Sequence, residues 1–237
     1  MSVSGLKAVL FDVFGTVVDW HGTMLGEINE LSRHKGAAVD ADQFVNKWRA
    51  AYRQGLADIR DGKAPKISNR MVYRASLDTL LEQYNIENVS EDKKEHLSRI
   101  DQRFQPWPDT VAGLQRLKSK FIIGTLSNGT LVALTNMAKN TGLPWDVIFS
   151  ADLLGTYKPA PETYLGAIKL LELEPSQVML AAAHNYDLEA AASHGMKTGF
   201  VCRPQEHGPH GKNETEAKGP WDAVTNSVKE LADALGA

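Results

Sequence analysis

The stretch AVLFDVFGTVVDW, residues 8–20, joins an uninterrupted apolar run to an aspartate, Asp12. Apolar runs that do not alternate with polar residues are typical of strands that are buried on both faces of a parallel sheet. Ligands of open parallel sheets bind beyond the carboxyl ends of the strands, which is where Asp12 falls. A carboxylate in this position, followed by Gly15 and Thr16, is expected to be a nucleophile, a metal ligand or a turn cap.

Four more apolar runs resemble the first and are separated by helical patterns. Together they predict an α/β fold, a Rossmann-like parallel sheet with right-handed crossovers. The predicted strands are KAVLF (7–11), FIIGTL (121–126), VIFS (147–150), VMLAAA (178–183) and TGFVC (198–202). The predicted helices are 130–142, 161–175 and 187–195, with a polar loop at 203–220 and a final helix at 221–235.

The interval 17–105 differs because it is rich in helix formers and contains no convincing strand. Its long periodic segments, 41–59 and 69–84, predict a helical cap inserted between the first two strands of the core. The prolines of PWPDT (106–110) mark the return to the core. We therefore expect a core domain of residues 1–16 and 106–237 and a cap domain of residues 17–105.

The composition narrows the class of protein and of partner. The chain has 237 residues, a formal net charge of −3 and 43% hydrophobic residues, which is typical of a globular protein. The mild acidity and the absence of a dense basic run argue against nucleic acid, and no apolar stretch is long enough to span a membrane. One cysteine, Cys202, excludes an internal disulfide and fits a reducing, cytoplasmic compartment. We expect a small molecule as the partner.

Polar side chains follow several of the predicted strands. Because the carboxyl ends of parallel strands meet at one edge, these residues are expected to converge on an active site. They are Asp12, Ser127, Asn128, Lys158, His184 and Asp187.

FDVFGTVVD, LSNGT (126–130), YKP (157–159) and HNYD (184–187) resemble the four motifs of the haloacid dehalogenase superfamily. Most members are phosphatases with a second aspartate two residues after the first, which protonates the leaving group. Phe14 stands there in this chain and cannot donate a proton. An aromatic residue at this position, with the cap pair Trp48–Arg49, resembles the L-2-haloacid dehalogenase branch, whose halide leaving group needs no acid.

The resemblance implies that Asp12 attacks the halogenated carbon, forms an ester and is regenerated by water, with no cofactor. Lys158 would pair with Asp12, Asp187 would orient Lys158 or the water, and Thr16 would fix the loop. Ser127 and the backbone around Asn128 would bind the substrate carboxylate, and Asn128 and Arg49 would receive the halide. The other residues implied to contact substrate are Phe14, Tyr164 and Tyr186.

The fourth motif departs from the best-known members, which carry serine and asparagine where this chain has Ala182 and His184. Since histidine donates and accepts protons near neutral pH, we hypothesise that His184 positions or activates the hydrolytic water.

Other interpretations stay open at this stage. Lys158 and Arg49 are alternatively solvated surface cations, His184 a structural histidine and Tyr164 a core tyrosine. The whole chain is alternatively a magnesium-dependent phosphatase for small organic phosphates, or a non-catalytic module that binds a small carboxylate. Dehalogenases of the L-2-haloacid branch often pair through helical surfaces, so the resemblance also implies a homodimer.

Overall fold

The computed structural model describes residues 5–35, 39–65 and 67–237. The chain divides into two compact units. The core unit comprises Met1–Asp19, Gln105–Glu206 and Lys212–Ala237, and the helical unit comprises Trp20–Phe104 and His207–Gly211. We still propose, as the sequence predicts, a core domain of residues 1–16 and 106–237 and a cap domain of residues 17–105.

The core unit is built on a six-stranded sheet with the order β5-β4-β1-β6-β7-β8. All five of its strand pairings are parallel, so the predicted α/β parallel-sheet fold is confirmed. The strands of the described chain are β1 (Ala8–Phe11), β2 (Val18–Asp19), β3 (Gln105–Pro106), β4 (Ile122–Ser127), β5 (Val147–Ser150), β6 (Val178–Ala182), β7 (Lys197–Val201) and β8 (Ala223–Thr225).

The central strand β1 is fully buried and pairs with β4 on one side and β6 on the other. This explains its uninterrupted apolar sequence, because a strand that is buried on both faces has no side chain in water. Leu10, Leu126, Leu180 and Phe200 belong to one buried cluster of the sheet. The register places the ends of β1, β4 and β6 side by side, so residues that follow these strands are brought together.

Ten α-helices occur in the described residues. Those of the helical unit are α1 (Trp20–Lys35), α2 (Ala41–Arg60), α3 (Asn69–Gln83) and α4 (Glu91–Ser98). Those of the core unit are α5 (Thr110–Lys118), α6 (Leu131–Thr141), α7 (Ala151–Leu154), α8 (Pro161–Leu171), α9 (Asn185–Ser193) and α10 (Val228–Ala234). Among all the described residues, no helix is long and apolar enough to cross a membrane.

Local signals set several helix ends. The Thr130 side chain accepts a hydrogen bond from the backbone N–H of Ala133 and begins α6, and Gly142 ends it with a positive φ of 73°. Pro161 opens α8, as predicted, but α8 ends at Leu171 rather than near Pro175, because Glu172 adopts the left-handed conformation with φ 55°.

Two predictions about secondary structure were wrong. The segment 221–235 is not one helix, since β8 occupies Ala223–Thr225 and Ser227 caps α10 by accepting from the N–H of Glu230. The interval 17–105 is not free of strands, because Val18–Asp19 pairs antiparallel with Gln105–Pro106. The three strands involved, β2, β3 and β8, have only two or three residues each and are too short to show a hydrophobic pattern.

The helical unit has its own aromatic core. Phe44, Trp48 and Tyr73 are buried completely, and the Trp48 indole donates to the Tyr73 carbonyl at 3.1 Å. Tyr52 stacks on Tyr73 with ring centroids 3.8 Å apart. Trp48 is therefore a structural residue of this unit, whereas its neighbour Arg49 is only half-buried.

Candidate active site

Asp12 is the first residue after β1 and lies at the carboxyl edge of the sheet. Its backbone N–H donates to the Ala181 carbonyl at 3.0 Å, which continues the pairing with β6. The residue is only 6% exposed. A buried carboxylate requires compensating donors or cations, and three side chains supply them.

Lys158 is the main cation at Asp12. Its Nζ lies 2.7 Å from Asp12 Oδ1 and also donates to Asp187, which is fully buried. The Tyr164 hydroxyl donates to the other Asp187 oxygen at 2.7 Å. The predicted residues Asp12, Lys158, Asp187 and Tyr164 thus form one continuous buried network.

This network sets the ionisation of its members. Burial opposes the charge of Asp12, but Lys158 and His184 outweigh it and hold the pKa of Asp12 well below its ordinary value. Burial also disfavours the Lys158 ammonium, yet Asp12 and Asp187 raise the pKa of Lys158 above its ordinary value. Burial raises the pKa of Asp187. The pair Asp12–Lys158 is consequently ionic at neutral pH, as a carboxylate nucleophile requires.

Thr16 and Gly15 shape the loop behind Asp12. The Thr16 hydroxyl donates to Asp12 Oδ2 at 2.8 Å and accepts from the backbone N–H of Ala183 at 2.9 Å. Gly15 has a φ of 92°, and a Cβ built on it would lie 2.2 Å from Glu206 Oε1. Glycine is thus required twice, by the left-handed backbone and by the close approach of Glu206.

Ser127 and Asn128 lie where β4 ends. The Ser127 hydroxyl accepts from the backbone N–H of Gly129 at 3.1 Å. The Asn128 amide is fixed by the Lys158 backbone, accepting from its N–H at 2.7 Å and donating to its carbonyl at 3.2 Å. A Cβ on Gly129 would lie 2.9 Å from the Phe14 ring, so Phe14 packs directly over this turn.

His184 lies between two carboxylates. Its Nδ1 is 3.1 Å from Asp12 Oδ2, and its Nε2 is 3.0 Å from both Glu206 oxygens. Burial lowers the pKa of His184, but the hydrogen bonds to Asp12 and Glu206 outweigh it and leave the pKa well above its ordinary value. The Tyr186 ring lies 5.7 Å from the His184 ring, and burial raises the pKa of Tyr186.

Arg49 belongs to the helical unit, so its part in any reaction remains a proposal. Its Nη1 donates to the Tyr73 hydroxyl at 2.8 Å, and its guanidinium lies 5.3 Å from the ring centroids of both Trp20 and Tyr52. Asp101 is buried in the same unit, and burial raises its pKa to about 6 against the opposing charge of Arg49. These contacts hold the guanidinium in a defined place within this unit.

Sequence reasoning missed two charged residues near Asp12. Glu206 is buried and contacts His184, and Arg203 is buried, donating to the Thr16 carbonyl and to both oxygens of Asp109. Both residues follow β7, so the strand-end rule that selected Asp12 also applied to them. They were overlooked because residues 203–220 were predicted to be a polar loop, and its residues were not considered as strand-end residues.

Comparison with known proteins agrees with this geometry. A model of the haloacid dehalogenase-like hydrolase family matches residues 6–195. A crystal structure of a defluorinating L-2-haloacid dehalogenase is 40% identical, with a TM-score of 0.90 and coverage of 98% of this chain and 96% of that one. Another L-2-haloacid dehalogenase structure is 38% identical, with a TM-score of 0.91 and coverage of 98% and 99%.

A relative found by sequence comparison is also named as a 2-haloacid dehalogenase. (S)-2-haloacid dehalogenase 4A of Burkholderia cepacia is 27% identical over 239 residues, which cover 97% of this chain and 94% of the relative. The family model matches most of the chain, and the similar structures cover nearly all of it. The chain belongs to the haloacid dehalogenase-like hydrolases.

Proposed function

We propose that this protein is an (S)-2-haloacid dehalogenase, which hydrolyses a small 2-haloalkanoate to the 2-hydroxyacid and halide. The observation that carries the proposal is Asp12 itself, a buried, ionised carboxylate paired with Lys158 at 2.7 Å. The residue two places later is Phe14, which offers no proton to a leaving group. The relatives at 38% and 40% identity have this activity in their names.

The proposed first step is a backside displacement at the carbon that bears the halogen. A carboxylate oxygen of Asp12 forms the new C–O bond as the carbon–halogen bond breaks, and the halide takes the bonding pair with it. The result is an ester on Asp12 with inverted configuration at the carbon. Covalent catalysis of this kind replaces one difficult displacement by water with two easier steps.

The turn after β4 is proposed to bind the substrate carboxylate. A hydroxyl that accepts one hydrogen bond still carries its own hydrogen, so Ser127 can donate to a carboxylate while it accepts from Gly129. The Asn128 amide uses one of its two hydrogens on the Lys158 carbonyl, and the second is suited to the departing halide. Phe14 covers this turn and would supply an apolar wall.

The halide is also proposed to meet Arg49. Its fixed positive charge favours the negative charge that develops on the leaving atom. Tyr73 and the two flanking rings orient the guanidinium. Tyr186, beside His184, is proposed to contact the substrate.

The second step is proposed to use His184 and Glu206. Water must attack the ester carbonyl of Asp12, and His184 Nδ1 is the ring nitrogen nearest to that carboxyl group. Glu206 contacts the opposite nitrogen and holds the ring orientation. Thr16 would keep its contact with the Asp12 carbonyl group throughout.

A resident magnesium ion does not fit these residues. The Asp187 carboxylate accepts from Lys158 and from Tyr164, so cationic and neutral donors already occupy both of its oxygens. No group of three or more histidine, cysteine or acidic side chains among the described residues is arranged to hold a metal. We therefore propose a reaction that uses no cofactor.

The proposal is tested by halide release from L- and D-2-chloropropionate in the presence of a chelator. We expect release from the L-enantiomer alone, and none from an Asp12→Asn variant. Asp222→Asn is the matched control and should keep full activity, because Asp222 pairs with Lys197 at the amino-terminal edge of the sheet, opposite to the edge that holds Asp12. If the protein released no halide but released phosphate from small organic phosphates in a magnesium-dependent reaction, the proposed function would be replaced by that of a phosphatase.

A further inference from the structure

His184 has a carboxylate oxygen at each ring nitrogen. Asp12 Oδ2 lies 3.1 Å from Nδ1, and both Glu206 oxygens lie 3.0 Å from Nε2. An ionised carboxylate only accepts hydrogen bonds, whereas a neutral imidazole has one donor and one acceptor. Both ring nitrogens must therefore carry hydrogen, and His184 is an imidazolium in this state. An imidazolium cannot take a proton from water.

The two carboxylates beside the ring, those of Asp12 and Glu206, support that charge state. Asp12 reaches it from the end of β1, Glu206 from the loop after β7 and Tyr186 from its own helix, α9. The Lys158 ammonium, which opposes a second positive charge, is bound to the other oxygen of Asp12. The side chain of His184 is 15% exposed, so solvent reaches the ring.

Esterification of Asp12 removes one of the two anions that hold this proton. Resting on the dehalogenase function proposed above, we infer that formation of the ester converts His184 from an acid into a base, so that the proton of the overall reaction leaves from His184 before water attacks. Glu206 is then the remaining anion and keeps the hydrogen on Nε2. The lone pair of Nδ1 faces the Asp12 carbonyl group, where the attacking water must lie.

The protons balance through one cycle. The displacement releases halide and leaves the ester with a protonated His184. His184 then releases its Nδ1 proton to solvent. Water adds to the ester carbonyl, giving one hydrogen to Nδ1 and the other to the 2-hydroxyacid as its bond to the Asp12 carbonyl carbon breaks. The carboxylate and the imidazolium are restored, and the net products are halide, 2-hydroxyacid and one proton.

This order has a physical advantage for the free enzyme. Asp12 and Glu206 are both buried and would repel each other without a cation between them. The imidazolium joins them while the nucleophile is free. The base appears only when the ester exists.

The first test measures the charge state of His184 without turnover. Its imidazole signals are titrated by NMR in the wild type and in Asp12→Asn, in which a neutral side chain stands in for the ester, with His184→Gln for assignment. Because an opposite charge within about 4–6 Å typically shifts a titration by one or more pH units, we expect the dissociation constant of the ring proton to rise at least about tenfold. Asp222→Asn is the control and should leave it unchanged. An unchanged titration in Asp12→Asn would overturn the inference.

The second test follows proton and halide release in one turnover. Excess enzyme is mixed with L-2-chloropropionate in weak buffer that contains a pH indicator. We expect one proton to appear after the halide and before the 2-hydroxyacid. A proton that appears only with the 2-hydroxyacid would overturn the inference while leaving the dehalogenase function intact. Absence of halide release would refute the proposed function, and the NMR titration would still decide the charge coupling.

Discussion

Replacing Lys158 with methionine tests the electrostatic basis of the site most fully. Methionine has a similar length but no charge, so the change removes the ammonium with little loss of volume. Lys158 is 5% exposed and bonds to both Asp12 and Asp187. The variant would leave two carboxylates buried without their shared cation.

The expected magnitude follows from that burial. Removing one partner of a buried ion pair costs about 3–5 kcal/mol of folding free energy, because the remaining charge is uncompensated. The pKa of Asp12 should rise, since burial is its largest influence and Lys158 the largest opposing one. We expect halide release to fall at least about 100-fold, because a protonated carboxyl group is a poor nucleophile.

The assay combines urea unfolding with halide release in Lys158→Met, Asp187→Asn and the double variant. The double variant has one buried charge fewer to compensate, so its loss of stability should be smaller than the sum of the single losses by about 1–3 kcal/mol. Lys169→Met, an exposed lysine in the last turn of α8, is the matched control. Additive losses, or a Lys158→Met protein of near-normal stability and activity, would refute the reasoning.

Three further predictions concern single residues. Hydrogen bonds from basic neighbours outweigh the effect of burial and lower the pKa of Glu27 from 4.5 to about 2. Glu27→Gln should therefore lose up to about 3 kcal/mol of unfolding free energy at pH 7, and urea titrations should show the difference vanishing as the pH falls from about 4.5 to 2. Burial raises the pKa of Asp101 from 3.8 to about 6, so its ionisation opposes folding as the pH rises through that range. Asp101→Asn should gain roughly 1–3 kcal/mol at pH 8 and nothing below pH 4, whereas a loss at pH 8 would contradict this. Glu206→Gln removes the anion that contacts His184 Nε2, and rapid-mixing assays should show near-normal first-turnover halide release but steady-state turnover slowed about tenfold or more; equal slowing of both would count against it.

The sequence predicted the parts of the site that follow the strongly apolar strands. Asp12 and Ser127 were found because β1 and β4 are buried on both faces and show no alternation. Lys158 and Asp187 then follow from topology, since parallel strands end at one edge, whereas Tyr164 lies inside α8 and was predicted only from the family resemblance.

Other features lacked such a signal. The edge strand β8 has only three residues and a mixed burial pattern, so it did not stand out from the loop before it. Glu206 lies in a polar segment rich in glycine and proline, and its contact with His184 depends on how that segment folds back. Arg49 could be assigned to a helix but not to a partner, because a tyrosine 24 positions away holds it.

The central claim is that Asp12 is the nucleophile and water only regenerates it. Its most direct test is a single turnover of L-2-chloropropionate with excess enzyme in heavy-oxygen water, followed by mass spectrometry of the product and of the peptide that contains Asp12. We predict ordinary oxygen in the hydroxyl group of the first product and heavy oxygen in the Asp12 carboxylate. Heavy oxygen in that first product, with none in Asp12, would show direct attack by water and contradict the account.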